Sequence, residues 1–383
     1  MRTIALLQPK SIVFGSGCAS QCADDVLAMG LRRVFIVTAP PLIGLVQPLA
    51  EALQRAGASA VVYASISAEP TVRAFEQALE AARSAQPDAI IGLGGGSALD
   101  VAKLVAALYD GRQDIREVFG IGKLTARGKY LACLPTTAGT GSEVSPNALL
   151  LDEADHLKKG VISPHLLPDA AYVDPLLTLS VPPAVTAATG MDALVHCVEA
   201  YANRFAHPVV DLYALQGIRL VAAHLLRAVE QGDDLEARTG MALGSMYGGL
   251  CLGPVNTAGV HALAYPLGGE FHVAHGVSNA VILPHVLQFN LPTAPERYAE
   301  IALALGADAA VSPLETAQRG LARIREISRR CGIPQSLSEL GIPPDAVPRL
   351  VQSAMTVTRL LKNNLREITA ADAAGIYRAA FGD

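Results

Sequence analysis

The chain has no tryptophan, only 5% aromatic residues and no more than 17% charged residues among its 383. No Lys/Arg cluster is interleaved with aromatics, which removes the usual footprint of nucleic-acid binding. A net charge of −5 shows no basic bias. No run approaches the length of uninterrupted apolar residues that a membrane span needs. The apolar start, MRTIALLQPKSIVFGSG, lacks the long hydrophobic region and small-residue cleavage site of a signal peptide. The cysteines at 18, 22, 133, 197, 251 and 331 form no CxxC pair, and a chain of this size needs no disulfide staples. A reduced, cytoplasmic setting is the expectation.

What is present is a large apolar content, 51% of residues, which excludes disorder and suffices for two domains. The first half alternates between two patterns. RRVFIVTAP (32–40), SAVVYASI (59–66), DAIIGLGGG (88–96) and KYLACLPTT (129–137) are short apolar or β-branched runs that read as strands. Between them, TVRAFEQALEAARSAQ (71–86) and SALDVAKLVAALY (97–109) carry helical periodicity. Such alternation predicts a parallel sheet with helices on both faces. After VDPLLTLSVPPAV (173–185), long segments such as 209–232 and 235–253 have a 3.6-residue period. The plan is an α/β domain with a Rossmann-like sheet over 1–180 and an all-helical domain over 181–383.

DAIIGLGGGSALDVAK (88–103) has the order strand, glycine turn, helix. Glycines 94–96 permit positive φ and close approach of a ligand, and Ser97 is the natural N-cap, leaving free N–H groups for an anion. LPTTAGTGSEVS (134–145) ends a second strand with small hydroxyl and backbone donors. Two such loops at strand ends of one parallel sheet suit a nucleotide.

TGMDALVHCVEAY (189–201) places Asp192, His196 and Glu199 on one side of a helix that is otherwise apolar. A solvated face or a satisfied Asp–His hydrogen bond uses the same spacing as half a metal site. HALAYPLGGEFHVAHG (261–276) adds His261 and His275 around a Pro/Gly-broken middle, with His272 between them. Imidazoles with one carboxylate suit Fe(II) or Zn(II) better than Mg or Ca. Spacing alone does not choose between these readings.

GGGSALDVAK, PTTAGTGSEV, VDPLLTLSVPPAVTAATGMDALVHCVEAY and HALAYPLGGEFHVAHG occur in this order along essentially the whole chain, which resembles the iron-containing (group III) alcohol dehydrogenases. That resemblance implies the dehydroquinate synthase-like fold, NAD or NADP, and a divalent metal, Fe(II) ahead of Zn(II). It implies a metal held by Asp192, His196, His261 and His275, through which catalysis runs, with His275 favoured over His272 and Glu199 outside the ligand set. It also implies cofactor binding by Gly94, Gly95, Gly96, Ser97, Asp100, Thr136, Thr137, Thr140, Ser142 and Lys158, with Lys159 an adjacent alternative for the last. The implied activity is reversible hydride transfer between a small alcohol and NAD(P), in a homo-oligomer of at least two copies.

A maleylacetate-type reductase, a dehydroquinate-synthase-like lyase and a nucleotide-binding module without turnover are the alternatives. Two positions depart from the family pattern. Ala39 stands where NAD-preferring members often have an acidic residue, and residues 38–46 offer no Arg or Lys for a 2′-phosphate, leaving the NAD/NADP choice open. Tyr265 replaces a histidine found in some members four residues after the third ligand.

Overall fold

The computed structural model describes residues 2–66, 69–154 and 157–382. The chain forms two compact units. One comprises Leu6–Thr137 and Gly141–Leu179; the other comprises Met1–Ala5, Ala138–Thr140 and Ser180–Asp383.

The first unit is built on strands β1 (Ser11–Phe14), β2 (Arg33–Val37), β3 (Ser59–Tyr63), β4 (Ala89–Gly94), β5 (Gly120–Ile121), β6 (Tyr130–Pro135), β7 (Asn147–Asp152), β8 (Leu157–Ile162) and β9 (Ala170–Val173). Six of them form one sheet in the order β1-β9-β6-β4-β2-β3, parallel throughout. The central strand β4, AIIGLG, is buried along its whole length, as a strand covered on both faces must be. Helices α1 (Gln21–Ala28), α2 (Ile43–Arg55), α3 (Val72–Ala85), α4 (Gly96–Leu108) and α5 (Ile115–Val118) belong to this unit. Val34, Ile36, Ile91 and Leu93 point to one face and pack with Cys22, Val26, Val46 and Leu53 of α1 and α2. Phe35, Val37, Ile90 and Leu131 point to the other, against Phe75 of α3 and Leu99 and Leu104 of α4. The strand pleat thus sorts one sequence into two cores.

A second, three-stranded sheet has the order β5-β8-β7, with β7 and β8 antiparallel. It is not among the expected elements. β7, NALLLD, alternates half-buried and buried positions, but it follows a Gly/Ser/Pro-rich loop that reads as turn.

The second unit is helical, and among the described residues no strand follows Val173. It contains α6 (Pro183–Tyr201), α7 (Pro208–Glu230), α8 (Leu235–Leu252), α9 (Gly259–Phe271), α10 (His275–Asn290), α11 (Pro295–Ala304), α12 (Pro313–Arg330), α13 (Val347–Met355), α14 (Thr358–Leu361) and α15 (Ala370–Ala379). α6 is buried on nearly every side and packs against α7, α8 and α10. A helix this enclosed is a core element, not a surface one. Among the described residues, α7 is the one helix long and apolar enough by composition to cross a membrane. One side of it, from Val210 through Leu225, packs into this helical core.

One glycine governs the site that follows. A Cβ at Gly276, the second residue of α10, would lie 2.0 Å from the Ala188 carbonyl oxygen. Only glycine lets the start of α10 come this close to α6.

Candidate metal centre

Three segments of the helical unit deliver the candidate ligands. α6 presents Asp192 and His196 one turn apart. α9 carries His261 in its first turn, and His275 opens α10. Asp192 Oδ1 stands 3.6 Å from His261 Nε2, 3.6 Å from His275 Nε2 and 3.9 Å from His196 Nε2. Four donors at the corners of a tetrahedron with bonds of about 2.1 Å would be about 3.4 Å apart. Asp192, His261 and His275 therefore have the donor chemistry and close approach that suit a first-row divalent ion. Asp192, His261 and His275 form the tightest group, with donor atoms within 4.8 Å of one another, and His196 stands just outside it. The His196 and His261 rings stack at 4.9 Å with a 14° interplanar angle, so the two imidazoles are nearly parallel.

The surroundings explain how the donors are aimed. Glu199 Oε2 lies 2.6 Å from His261 Nδ1, and Glu199 Oε1 accepts from the Val260 N–H at 2.6 Å. A carboxylate on Nδ1 fixes the tautomer that presents a lone pair at Nε2. Glu199 is thus a partner of a candidate ligand, outside the candidate donor set. Asn279 was not singled out in the sequence. Its Nδ2 donates to Asp192 Oδ1 at 2.7 Å and stands 3.2 Å from both His261 Nε2 and His275 Nε2. The available signal was a lone, fully buried amide within the apolar run VSNAVILP.

Electrostatics agree with a cation site. Burial alone would raise the Asp192 carboxyl, but His196, His275 and His261 hold it well below the usual carboxylate range. Burial lowers His196, against the pull of Asp192. Burial also opposes protonation of His261, yet Glu199 and Asp192 outweigh it and raise the group to about 9.

The remaining histidines have other roles. His272 is exposed at the C-cap of α9 in a left-handed conformation. His207 caps α7 through Nδ1, accepting from the Val209 N–H at 3.3 Å. His285 is pushed down to about 4, chiefly by burial. His156 lies outside the described residues.

In the α/β unit, the glycine turn differs from expectation in two respects. None of Gly94, Gly95 and Gly96 has positive φ, and the N-cap of α4 is Gly95, so Ser97 sits within the first turn. The reason is close packing. β4 remains paired to Gly94, opposite Pro135, so the chain must turn at once. A Cβ on Gly94 would meet that of Ala98 at 2.7 Å. At the helix start the Ala98 and Leu99 N–H groups both donate to the Gly95 carbonyl, at 3.0 and 3.2 Å.

Asp100 accepts from Ser142 Oγ at 2.5 Å and from the Leu149 N–H at 2.9 Å, so both its oxygens hold the second loop. Thr136 is buried beside Gly94, donating its N–H to the Gly94 carbonyl at 3.0 Å, and Thr137 lies against Gly95. Thr140 belongs with residues 138–140 to the helical unit, where Gly139 packs on Thr189. Lys158 Nζ pairs with Glu69 Oε1 at 2.7 Å, while Lys159 Nζ pairs with Asp152 Oδ2 at 2.7 Å. Burial raises the Asp100 carboxyl, against the pull of Lys103 and of its hydrogen bonds from Ser142 and Leu149.

Sequence reasoning also missed Lys103. It is fully buried, and its ammonium donates to the carbonyls of Ser142 (2.8 Å), Ser145 (2.9 Å) and Asn147, and to Ser142 Oγ (3.1 Å). Lys103 and Asp100, one turn apart on α4, thus clamp the Ser142–Leu149 loop from two sides.

Glu143, in the same loop, is buried, and that burial raises its carboxyl to about 7 against the pull of its own backbone N–H and Lys103. An ordinary glutamate titrates at 4.5. Between these values the unfolded chain is ionised while the folded one keeps its proton, so stability falls as pH rises through the window. The loss amounts to about 3 kcal/mol and is complete above pH 7. Glu143→Gln should remove this slope and raise neutral-pH stability in urea titrations at pH 5 and pH 8. An unchanged slope would refute it.

Comparison with known proteins places the chain. Residues 9–175 match the iron-containing alcohol dehydrogenase model, and residues 186–381 match the C-terminal model of the Fe-containing alcohol dehydrogenase family. The chain belongs to this family and is an oxidoreductase of the alcohol dehydrogenase type. It is 42% identical over 373 residues to long-chain-alcohol dehydrogenase 1 of Geobacillus thermodenitrificans, covering 96% of this chain and 94% of that protein. It is 35% identical to 1,3-propanediol dehydrogenase of Klebsiella pneumoniae, covering 99% of each. Among solved structures, a 1,3-propanediol oxidoreductase has a TM-score of 0.95 at 35% identity, covering 99% of this chain and 100% of that one. An alcohol dehydrogenase from Oenococcus oeni has a TM-score of 0.96 at 32% identity, with the same coverage. Family membership implies a nicotinamide cofactor, a divalent metal and small alcohol or aldehyde substrates.

Proposed function

We propose that Asp192, His196, His261 and His275 together hold one divalent ion, Fe(II) or Zn(II), and that the chain transfers hydride reversibly between a small alcohol and NAD(P). The observation that supports this reading is the convergence of one carboxylate and three imidazoles from α6, α9 and α10, each imidazole Nε2 within 3.9 Å of Asp192 Oδ1. Bound there, the ion supplies Lewis acidity to the oxygen of an alcohol or carbonyl.

The chain's own residues do the rest. Glu199 holds the His261 Nδ1–H, keeping Nε2 available as a donor. Asn279 fixes the carboxylate rotamer of Asp192. Gly95, Gly96 and Ser97 open the start of α4 to a pyrophosphate. Thr136, Thr137, Thr140 and Ser142 offer hydroxyl and backbone donors, and Lys158 a cation, to the same cofactor. Asp100 acts by holding Ser142 and Leu149 in place. Cytoplasmic residence and assembly as a homodimer complete the reading; six free, buried cysteines accord with a reducing compartment.

The test is oxidation of NADH and of NADPH with a panel of aldehydes, using protein reconstituted with Fe(II), with Zn(II) or with neither. Turnover that depends on the added ion supports the proposal. Equal turnover with no ion, or none under any condition, contradicts it.

Metal loading should depend on pH with a defined sign. His261, raised to about 9 without the ion, must lose its proton to become a ligand. Apparent affinity for Zn(II) should therefore rise about tenfold per pH unit from pH 6 to 8 and level off near 9. Chelator competition at each pH measures it, and a flat profile would contradict the assignment of His261.

A further inference from the structure

Asn279 lies one turn after His275 on α10 and is fully buried. Its amide faces α6, which the glycine at 276 lets α10 approach closely. One nitrogen, Nδ2, reaches three of the four candidate ligand atoms: Asp192 Oδ1 at 2.7 Å, and His261 Nε2 and His275 Nε2 at 3.2 Å each. Its Oδ1 is equally enclosed and has no hydrogen-bond partner among the described residues. Turning the amide round would set that oxygen against the Asp192 carboxylate at the same short distance, acceptor facing acceptor. The two N–H groups therefore point at the ligand atoms.

Those N–H groups and a cation need the same electrons. The Nε2 of a neutral imidazole has one lone pair, which accepts either an N–H or a metal ion. Glu199 holds the Nδ1–H of His261, so the lone pair of that ring lies at Nε2, on the Asn279 side. A carboxylate oxygen has a second lone pair, so the bond to Asp192 is compatible with an ion, whereas donation to the imidazoles is not.

We propose that Asn279 is a competitor built into the metal centre: its amide engages the Nε2 atoms of His261 and His275 in the metal-free protein and gives them up to the ion. It thereby weakens metal affinity and stabilises the protein without metal. The inference rests on the metal reading above. It gives Asn279 the opposite effect to Glu199, whose bond to Nδ1 is on the far side of the ring and supports the ion. The consequence is an exchangeable ion. Buried acceptors left bare by a departing metal would be costly, and the amide covers them.

The experiment is competition between the full-length protein and a chelator for Zn(II) at pH 9, where protons compete least at His261. It is paired with thermal unfolding of the metal-free and Zn(II)-loaded forms, for the wild type, Asn279→Leu and Asn279→Ser. Leucine keeps the branched shape without a donor, and serine is too short to reach both imidazoles. In Asn279→Leu the Kd for Zn(II) should fall roughly 3- to 30-fold, as expected when one or two neutral hydrogen bonds are lost from the metal-free side of the equilibrium. Asn279→Ser should shift Kd in the same direction. Both metal-free variants should melt a few degrees below the wild type, and Zn(II) should close most of that gap. A purely structural role would lower both melting temperatures together and would not tighten binding.

A Kd unchanged or raised in either variant overturns the proposal and leaves the metal reading standing; a raised value would make Asn279 a support of the ion. Should Asn279→Leu not fold, Asn279→Ser decides. Failure of both to fold with Zn(II) present also overturns it, because the ion should replace the lost donors. No binding of Zn(II) by the wild type overturns the metal reading and this inference together.

Discussion

His261→Ala is expected to release the metal and lower kcat by roughly 10³-fold or more, because removing the ion's Lewis acidity removes several kcal/mol of transition-state stabilisation. His261 is the proposed ligand most closely engaged by its surroundings. Glu199 engages its Nδ1 at 2.6 Å, and Asp192 and Asn279 crowd its Nε2. Alanine leaves Glu199 and Asp192 buried with one fewer counter-group, so the variant should lose stability as well as metal. Glu199→Gln provides the graded comparison. It keeps the ligand but weakens its orientation, and metal affinity should fall 10- to 100-fold. Metal content after dialysis and steady-state turnover measure both. A metal-free His261→Ala preparation with full activity would refute the assignment.

Lys103→Met should have the second largest effect, in the other unit. The substitution leaves the carbonyls of Ser142, Ser145 and Asn147 without their donor inside the protein. It also removes the cation beside Asp100. Breaking a buried charged cluster in this way costs about 3–5 kcal/mol. Because the freed loop carries Ser142 and borders Thr136 and Thr137, kcat/KM with respect to the nicotinamide cofactor should fall roughly 10- to 100-fold. Urea denaturation and cofactor titration separate the two losses. Unaltered stability together with unaltered cofactor affinity would show that the clamp has no role.

The arrangement of the large sheet could be anticipated because its central strands announce themselves. β2, β3, β4 and β6 each lie within an apolar run bounded by turn residues, and α3 and α4 lie within strongly periodic segments. The edge strand β1 and the four-residue β9 are too short to stand out, and nothing local distinguishes AAYV as a strand. The β7–β8 pair escaped notice because its first strand follows a Gly/Ser/Pro-rich loop and its second begins with LKK.

The candidate ligands were readable because chemistry-bearing side chains in an apolar helix are conspicuous. Their partners were less so. The i, i+7 spacing on α6 shows that Glu199 shares a side with Asp192, but only the fold brings it to His261 Nδ1. Lys103 reads as an ordinary lysine of a helical pattern, and its burial depends on where the loop after β6 closes. Ser97 has the chemistry of an N-cap, but strand pairing as far as Gly94 moves the helix start to Gly96.

The most direct measurement is anomalous X-ray scattering from crystals of protein reconstituted with Fe(II) or Zn(II), recorded at the corresponding absorption edge. The account predicts one strong peak per chain, within bonding distance of Asp192 Oδ1 and the Nε2 atoms of His196, His261 and His275. No peak among those four side chains, or the ion bound elsewhere, would contradict it.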